Sequence, residues 1–430
     1  MSTGLWTLLA TVVGGALLRL PLALVMFAGG AAYLFSTRQD IGLLVGQVMN
    51  QMASMYVLVA IPMFILAANV MNAASISDRL WAMANAFVGR FRGGMGHVTV
   101  LVSMIFSSMS GSAVTDAAGP GLVAARMMRE IGKYPPGLAC AITAASATIA
   151  PVIPPSIPLV IYALISGASI GALFLAGIVP GLLMGAALMG MIRLMAGRRR
   201  LEQGEVVPLR QMPAVVGRAS LSLTLPVVLL GGIWSGIFTP TEAAAVAAAW
   251  ALMLGVAVYR RMDIAATWGV FSESARQSAS TMLLIASAFI LNYAIANERL
   301  AEVLVHAIAR WELGAMQFMM VVNLAFIVLG CFLDGSVMML VFVPLLIPSA
   351  RLLGIDLTYF GIVVTLNFMI GLITPPYGLL LFVMASLTRT PLAAIIREIW
   401  PFVLALSAVL ALLTAFPAIT LFLPRLFGYG

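Results

Sequence analysis

Charge is scarce in this sequence: Asp, Glu, Lys and Arg make up only 9% of its 430 residues, and hydrophobic residues make up 62%. Soluble domains carry roughly a quarter charged residues, so this composition excludes a soluble monomer. Lys133 is the only lysine, and the two cysteines, Cys140 and Cys331, lie in apolar segments without metal-ligand spacing. We expect both cysteines to be inert buried thiols rather than a disulfide.

Motifs of soluble catalysis are also missing. The chain contains no Walker A sequence, no HExxH and no GxSxG that follows a predicted strand as a nucleophile elbow does, so ATP-driven transport and obvious hydrolase chemistry have no support. No basic region precedes the apolar residues 5–18, and we expect that segment to be retained rather than cleaved as a signal peptide. The net charge of +8 resides mainly on arginines in short loops, where it indicates membrane topology rather than nucleic-acid binding.

Apolar runs of about 20 residues recur along the whole chain, each long enough to cross a hydrocarbon core of ~30 Å. Backbone groups in lipid must satisfy their own hydrogen bonds, which leaves helices or a closed barrel. Barrel strands would alternate apolar and polar residues, and these runs do not. The sequence therefore predicts an all-α polytopic membrane protein.

The polar residues 197–218 divide the chain and predict a cytoplasmic linker. The flanking segments, 1–196 and 219–430, match each other at an offset of about 220 residues. The matches are Met109-Ser110-Gly111-Ser112-Ala113 with Leu333-Asp334-Gly335-Ser336-Val337, Ile153-Pro154-Pro155 with Thr374-Pro375-Pro376, Pro180 with Pro401, and Asp78-Arg79-Leu80 with Glu298-Arg299-Leu300. Chance similarity between Ala-, Leu- and Gly-rich helices is the alternative, but four matches in one order favour an internal repeat.

Each half is predicted to contain about five membrane crossings, one re-entrant helical hairpin and one proline-broken helix. The hairpins are residues 95–128 and 315–350, and the broken helices are residues 135–170 and 357–388. The remaining spans are 5–18, 21–36, 54–73, 172–195, 220–237, 241–259, 279–297 and 399–423. An odd number of crossings in the first half makes the two repeats inverted relative to each other.

Charge distribution supports the hairpin interpretation. If residues 95–128 enter and leave on one side, all the dense basic clusters fall on one face, which the positive-inside rule makes cytoplasmic. These clusters are Arg90 and Arg92, Arg126, Arg129 and Lys133, Arg193 and Arg198-Arg199-Arg200, and Arg260 and Arg261. A single ordinary span at 95–128 would scatter them over both faces.

The predicted proline-broken helices could coordinate ions. Prolines cannot donate an amide hydrogen, so a Pro-rich break frees carbonyl oxygens that can coordinate a small hard cation, while helix N-termini attract anions. Ala150–Pro158 and Thr374–Gly378 are such breaks, and the Gly-Ser tips add hydroxyls and flexible backbone. A simple proline kink is the alternative for each break.

Two acids lie at or beside the tips. An ionisable residue at membrane depth indicates function by default, so Asp334 is a candidate cation ligand. Asp116 is a candidate site residue that could instead cap the second helix of its hairpin. Glu242 follows Thr239-Pro240-Thr241 and is predicted to cap a helix N-terminus.

Four motifs resemble the large membrane subunit of the tripartite ATP-independent periplasmic (TRAP) transporters, and the resemblance covers essentially the whole chain. They are Gly111-Ser112-Ala113-Val114-Thr115-Asp116-Ala117-Ala118, Ile149-Ala150-Pro151-Val152-Ile153-Pro154-Pro155-Ser156-Ile157-Pro158, Gly236-Ile237-Phe238-Thr239-Pro240-Thr241-Glu242-Ala243 and Gly371-Leu372-Ile373-Thr374-Pro375-Pro376-Tyr377-Gly378. The resemblance implies an elevator-type importer of small organic acids in the bacterial inner membrane, driven by a sodium gradient. It also implies two partners, a soluble periplasmic substrate-binding protein and a separate small four-helix membrane subunit.

Site residues follow from the same resemblance. One sodium site would consist of Ser110, Gly111, Ser112, Ala150, Pro151, Val152 and Pro154. The other would consist of Asp334, Gly335, Ser336, Gly371, Thr374 and Pro375. The substrate would lie between the two tips, against Ser112, Thr115, Asp116, Ser156, Ser336 and Thr374. Sodium as coupling ion is the only cofactor expected.

Two other functions stay open. A stand-alone sodium-coupled carrier of anions or carboxylates could share the hairpins and breaks but would need no partner protein. A membrane-embedded enzyme or assembly scaffold would need a catalytic constellation, and the two histidines and two cysteines form none that we recognise. The sequence does not identify the organic acid.

Overall fold

The computed structural model describes all residues except 1, 19, 75, 200, 202–207, 334 and 430, and it describes residues 76–78, 209 and 218 by their backbone only. The described chain is a bundle of helices. This confirms the predicted all-α class.

The chain up to residue 199 folds into a first series of helices. They are α1 (Thr3–Leu17), α2 (Leu22–Ser36), α3 (Gly42–Ser54), α4 (Ala60–Ala73), α5 (Ile76–Val88), α6 (Gly94–Ser110), α7 (Ala113–Ala118), α8 (Pro120–Glu130), α9 (Pro136–Ala147), α10 (Ile157–Ser166) and α11 (Ile170–Arg199). A 3-10 turn, Tyr56–Val59, leads into α4.

A second series follows from residue 212. It consists of α12 (Met212–Trp234), α13 (Pro240–Leu252), α14 (Ile264–Asn297), α15 (Leu300–Arg310), α16 (Ala315–Gly330), α17 (Gly335–Val341), α18 (Val343–Leu352), α19 (Leu357–Gly371), α20 (Leu379–Thr388), α21 (Leu392–Ala415) and α22 (Pro417–Leu426). A π-helical turn, Met253–Val258, extends α13.

Local sequence signals set many of these boundaries. Pro120, Pro136 and Pro240 each stand in the first turn of a helix, where a missing N–H costs nothing. The Thr239 side chain accepts the Glu242 amide, and the Glu242 carboxylate accepts the Thr239 amide, so the capping role predicted for Glu242 is confirmed.

Five helices in the described part of the chain are long and apolar enough to cross a membrane, or six if the bent pair α17–α18 counts as one span. The five are Tyr56–Ala73, Ile170–Arg199, Pro240–Val258, Ile264–Asn297 and Leu392–Ala415. Helices α17 and α18 meet at an angle of 55°. Shorter apolar helices, such as α6, α9, α16 and α19, surround them.

The helices form two groups. One group, which we call the frame, packs α1 on α2, α4 on α13, and α14 on both α2 and α4. The other, which we call the core unit, packs α9 on α21, α16 on α19 and α11 on α21. Both halves of the sequence contribute to each group: the Tyr162 hydroxyl of α10 donates to the Leu357 carbonyl 2.6 Å away. The halves are therefore interleaved in space.

Three amphipathic helices, α3, α5 and α15, are not among the predicted elements. Helix α5 leaves the frame helix α4 and packs on α6, and α15 leaves α14 and packs on α18. Each of the latter two therefore connects the frame with a predicted hairpin.

The predicted hairpins and broken helices coincide with interruptions in the structure. Within residues 95–128, α6 ends at Gly111 and α8 packs back against α6. Residues 148–156 separate α9 from α10, and residues 372–378 separate α19 from α20. Helix α11 continues to Arg199 and α12 begins at Met212, so the linker between these helices is shorter than residues 197–218. The inverted arrangement of the repeats stays a prediction.

Candidate functional site

A cavity of about 490 Å³ lies where the two hairpin tips meet the frame. Both tips, the first break, the end of α19 and the frame helices α4 and α14 enclose it. The residues predicted from the sequence that line it are Ser110, Gly111, Ser112, Thr115, Pro151, Gly335 and Ser336. The cavity therefore brings together residues that lie more than two hundred positions apart.

Gly111 ends α6 in a left-handed conformation, with φ at +59°. A Cβ on this residue would lie 2.3 Å from the Pro155 carbonyl oxygen and 3.2 Å from the Ser156 Cα. Only glycine allows so close an approach in this conformation. The first tip is thus seated directly against the backbone of the first break.

The serines beside Gly111 differ in their environment. Ser110 is fully buried, and its Oγ has no hydrogen-bond partner among the described residues. Ser112 begins α7, and its Oγ accepts the Thr115 amide at 3.4 Å. Buried hydroxyls without a partner are uncommon and require an explanation, such as a ligand that the Ser110 oxygen could coordinate.

The first break is formed by short-range bonds and prolines. Amides of Thr148, Ile149 and Ala150 donate to carbonyls three residues earlier. Beyond them, Pro151, Pro154 and Pro155 have no N–H, and the Pro154–Pro155 peptide bond is cis. Ala150, Val152 and Pro154 are buried and do not line the cavity.

Ser156, a predicted substrate ligand, is fully buried and does not line the cavity. Its hydroxyl donates to the Pro151 carbonyl and accepts the Leu159 amide at 3.2 Å, which caps α10. The Ser156 side chain therefore links the backbone of the break, at Pro151, to the first turn of α10, at Leu159.

The second tip is seated differently. A Cβ on Gly335 would lie 3.2 Å from the Phe368 Cβ. Below it, α16 crosses α19 at Gly330 and Gly371, where a Cβ on Gly371 would lie 2.7 Å from the Gly330 Cα. Asp334, predicted as a cation ligand, lies outside the described residues. Ser336 lines the cavity.

The second break contributes less to the cavity wall. The Thr374 hydroxyl donates to the Ile370 carbonyl at 2.7 Å, and the side chain is buried. Thr374, Pro375 and Gly371 do not line the cavity, whereas Phe368, Met369, Leu372 and Leu379 of the same region do. The Pro375–Pro376 peptide bond is cis.

Asp116 is fully buried on α7, away from the cavity lining. Ser103 is the polar side chain beside its carboxylate, although neither oxygen makes a hydrogen bond of good geometry within the described residues. Asp116 lies in the first turn of α7, the helix that follows the tip, and the N-cap of that helix is Ser112. The Asp116 carboxyl group faces the interior of the core unit.

Sequence reasoning missed the polar face that α14 presents to the tips. Gln277, Ser280 and Thr281 of this helix line the cavity. The Gln277 Oε1 accepts the Asn69 amide at 3.0 Å, and its Nε2 donates to Glu273 at 2.9 Å. The missed signal was a polar segment, residues 272–281, that overlaps the start of the predicted span 279–297.

The first tip and break suit a small hard cation such as sodium. Such ions take oxygen ligands from hydroxyls and carbonyls. The first tip and break present two such oxygens, the Ser110 Oγ without a partner among the described residues and the Pro155 carbonyl beside Gly111, and the prolines of the break add no N–H donor. The second tip is less complete among the described residues, because Asp334 is not one of them.

Comparisons with known proteins match this architecture. The profile of the family described as "Tripartite ATP-independent periplasmic transporter, DctM component" matches residues 5–419. This chain belongs to that family. The sialic acid TRAP transporter large permease protein SiaM of Vibrio cholerae is 37% identical over 419 residues, covering 97% of this chain and 96% of the relative.

Other TRAP large permeases are similarly related. The C4-dicarboxylate TRAP transporter large permease protein DctM of Pseudomonas aeruginosa is 38% identical, covering 87% of each chain. The 2,3-diketo-L-gulonate TRAP transporter large permease protein YiaN of Escherichia coli is 35% identical, covering 95% of this chain and 96% of the relative. The chain is therefore a transporter subunit, a multi-pass membrane protein and not an enzyme.

Among solved structures, the YdaH transporter of Alcanivorax borkumensis has a similar fold. The TM-score is 0.62 over 96% of this chain and 98% of that chain, at 16% sequence identity. At this identity the likeness concerns the fold alone.

Proposed function

We propose that this TRAP permease imports a small organic acid, coupled to sodium, across the bacterial inner membrane. The proposal rests on the cavity between the two tips. Helix α14 of the frame forms a further wall of this cavity. Polar groups from two distant segments converge there inside an apolar bundle, which is the arrangement expected of a transporter site at a repeat interface.

Sodium coupling is supported by the first tip. The Ser110 Oγ is buried without a partner in the described part of the chain, and Gly111 lies against the Pro155 carbonyl. A sodium ion held there would stabilise the seated tip, because its ligands come from both the hairpin and the break. The ion would thereby favour the closed cavity that holds the substrate.

An elevator-type motion is supported by the division into frame and core unit. The tips and breaks belong to the core unit, while Gln277, Ser280 and Thr281 belong to the frame. Helices α5 and α15 connect the two groups and would act as the arms along which the core unit moves. The end of the bundle that carries the arginine clusters would face the cytoplasm.

The substrate would bind at Ser112, Thr115 and Ser336, which line the cavity. Hydroxyls and backbone N–H groups can donate to a carboxylate. A soluble periplasmic binding protein would deliver the acid, and a small four-helix membrane subunit would complete the frame. The relatives are named for sialic acid, C4-dicarboxylates and 2,3-diketo-L-gulonate, which supports an organic acid without selecting one.

Reconstitution tests the proposal. The chain is placed in liposomes with its small subunit, and its binding protein is loaded with substrate outside. We expect uptake that requires an inward sodium gradient and the binding protein, and that stops when the gradient is collapsed.

Two results would contradict this function. Uptake that ignores the sodium gradient would exclude sodium coupling. Uptake by the chain alone, without either partner, would favour the stand-alone carrier. A matched liposome sample without the permease gives the background in both cases.

A further inference from the structure

A second cavity, of about 460 Å³, lies away from the tips, between the end of α8 and the end of α20. Leu122, Arg126 and Arg129 of α8 line one side of it, and Leu387 and Thr388 of α20 line the other. Its volume falls within the ~300–1,000 Å³ of small-molecule sites. The transport function proposed above uses none of these residues.

The two arginines share one face of α8. They are three residues apart near the end of the helix, so their side chains are neighbours. The Arg129 Nη1 donates to the Thr388 carbonyl at 3.3 Å. Neither guanidinium forms an ion pair in the described part of the chain, and each carries five N–H donors. Most of these donors are therefore available to a ligand.

The lining of this cavity has a net positive charge. Glu130 is the one acid in its described lining, so the two arginines leave a surplus of one positive charge. Arg389, exposed directly after Thr388, adds to the positive potential at this end of the bundle. A phosphate group supplies the negative charge and the acceptor oxygens that guanidinium groups bind in bidentate pairs.

A neighbouring cavity, of about 490 Å³, shows how the chain neutralises an arginine by itself. Arg199, Arg397 and Glu398 line this neighbouring cavity. The Arg199 Nη1 lies 2.7 Å from the Glu398 carboxylate there, so the protein supplies the anion. No such pair forms at Arg126 and Arg129 among the described residues, which favours a ligand as the anion.

Apolar side chains lead from the arginines towards the level of the tips. Helix α20 begins at Leu379, which lines the tip cavity, and ends at Thr388. Phe382 and Leu387 of this helix are 41% and 42% exposed. An acyl chain along these two side chains would place its phosphate beside the arginines. A basic site that continues into an apolar surface fits a lipid better than a free anion.

We propose that the cavity at Arg126 and Arg129 binds the headgroup of an anionic phospholipid of the cytoplasmic leaflet. The phosphate lies between the two guanidinium groups, and an acyl chain follows Leu387 and Phe382. Arginines at this end are expected from membrane topology, but topology does not require a cavity. Basic cavities between helices at the cytoplasmic side bind such headgroups. The site depends on neither the coupling ion nor the substrate.

Native mass spectrometry of the purified complex in detergent tests the site. Dioleoyl phosphatidylglycerol is titrated against wild type, Arg126→Gln/Arg129→Gln and the control Arg260→Gln/Arg261→Gln. The control arginines are exposed and line neither this cavity nor its neighbour. We expect the cavity variant to bind the lipid about tenfold more weakly or worse, and the control to stay within about twofold of wild type. Equal losses in both variants would overturn the proposal.

Other ligands separate this lipid from other sources of phosphate. Dioleoyl phosphatidylethanolamine, which has no net charge, should bind about tenfold more weakly than phosphatidylglycerol. Inorganic phosphate and glycerol phosphate should not displace the bound lipid. Equal binding of the two lipids would overturn the anionic headgroup. Displacement by inorganic phosphate would make the cavity a site for a soluble anion instead.

Further variants separate binding from folding. Arg126→Lys/Arg129→Lys keeps both charges and should retain most of the affinity, and Leu387→Asn should weaken binding with both arginines intact. Equal melting temperatures establish that the variants fold. If the double glutamine variant is unstable, Arg126→Gln alone decides, because the Arg126 guanidinium forms no ion pair within the described chain. Wild-type affinity in that folded variant would contradict the site.

Discussion

The two hairpin tips share a sequence pattern but are held by different chemistry. The first tip presses Gly111 against the Pro155 carbonyl and leaves the Ser110 hydroxyl unpaired within the described chain. The second hairpin is held below its tip, where Gly330 meets Gly371 backbone to backbone. In the described part of the chain, the first tip is therefore held against the backbone of a break, whereas the second hairpin is held by a helix crossing.

A chain of side-chain hydrogen bonds between Asn367, Asn323 and Thr414, which we call the polar ladder, adds to that difference. The Asn367 Nδ2 donates to Asn323 at 2.7 Å, and the Asn323 Nδ2 donates to Thr414 at 2.8 Å. These bonds join α19, α16 and α21 next to the Gly330–Gly371 crossing. Among the described residues, similar Gly-Ser and Pro-Pro patterns are thus held by different contacts, a close backbone approach to a break in one half and a glycine crossing with side-chain hydrogen bonds in the other.

Gly111→Ala should have the largest effect. The new Cβ would lie 2.3 Å from the Pro155 oxygen, and alanine is strained at a φ of +59°. Displacement of a catalytic or binding group by about 1 Å can cost about a hundredfold in rate, and we expect uptake to fall by about that factor. The measurement is substrate uptake in the reconstituted complex.

Gly167→Ala is the control for Gly111→Ala. Gly167 also has a left-handed φ, of +74°, but a Cβ there meets no atom within 4 Å. Gly167→Ala should destabilise the protein only because alanine is strained in this conformation, by roughly 1–2 kcal/mol. Uptake should stay nearly unchanged. Equal losses of uptake in both variants would show that the contact with Pro155 has no special role.

Gly371→Ala should mainly destabilise the protein. Its Cβ would overlap the Gly330 backbone at 2.7 Å, and overpacking of this kind costs about 1–3 kcal/mol. We expect a lower melting temperature in detergent, whereas Gly190→Ala, with open space around its Cβ, should melt like wild type. A Gly371→Ala protein of unchanged stability that has lost sodium dependence would make the second tip an ion site instead.

Asn323→Ala should have the smallest effect. Interhelical hydrogen bonds in membranes contribute about 0.6 kcal/mol on average and at most about 1.7. Removing Asn323 breaks its bonds to Asn367 and Thr414, and a modest decrease in thermal stability should result. Sodium dependence of uptake should not change, since the ladder lies away from the first tip. A changed sodium dependence would link the ladder to the ion.

Features set by local sequence could be predicted. The breaks predicted at Ala150–Pro158 and Thr374–Gly378 correspond to the interruptions at residues 148–156 and 372–378, because closely spaced prolines remove amide donors and clash with the preceding turn. The Thr239–Glu242 capping box was predicted because both partners lie within one turn. Helices α3, α5 and α15 were not, since helices of 11 to 13 residues lack the long apolar run that marks a span.

Features set by tertiary contacts could not be predicted from the sequence alone. Gln277 and Thr281 lie beside the tips only because α14 packs there. For Ser156 and Thr374 the sequence showed hydroxyls at the breaks, but not that these hydroxyls donate to the Pro151 and Ile370 carbonyls. The direction of each hydroxyl depends on the local backbone conformation. At a break this conformation is irregular, and the sequence does not specify it.

In the proposed function, the first tip and break hold a sodium ion through Ser110. The direct measurement is equilibrium binding of radioactive sodium to the purified complex, compared between Ser110→Ala and Ser108→Ala. Ser108 lies on the same helix, and its hydroxyl donates to the Ile105 carbonyl at 2.5 Å. Ser108→Ala should therefore bind sodium like wild type.

We expect Ser110→Ala to weaken sodium binding by about tenfold, equivalent to ~1.4 kcal/mol, in a protein whose melting temperature is unchanged. Unchanged sodium affinity in a folded Ser110→Ala complex would contradict it.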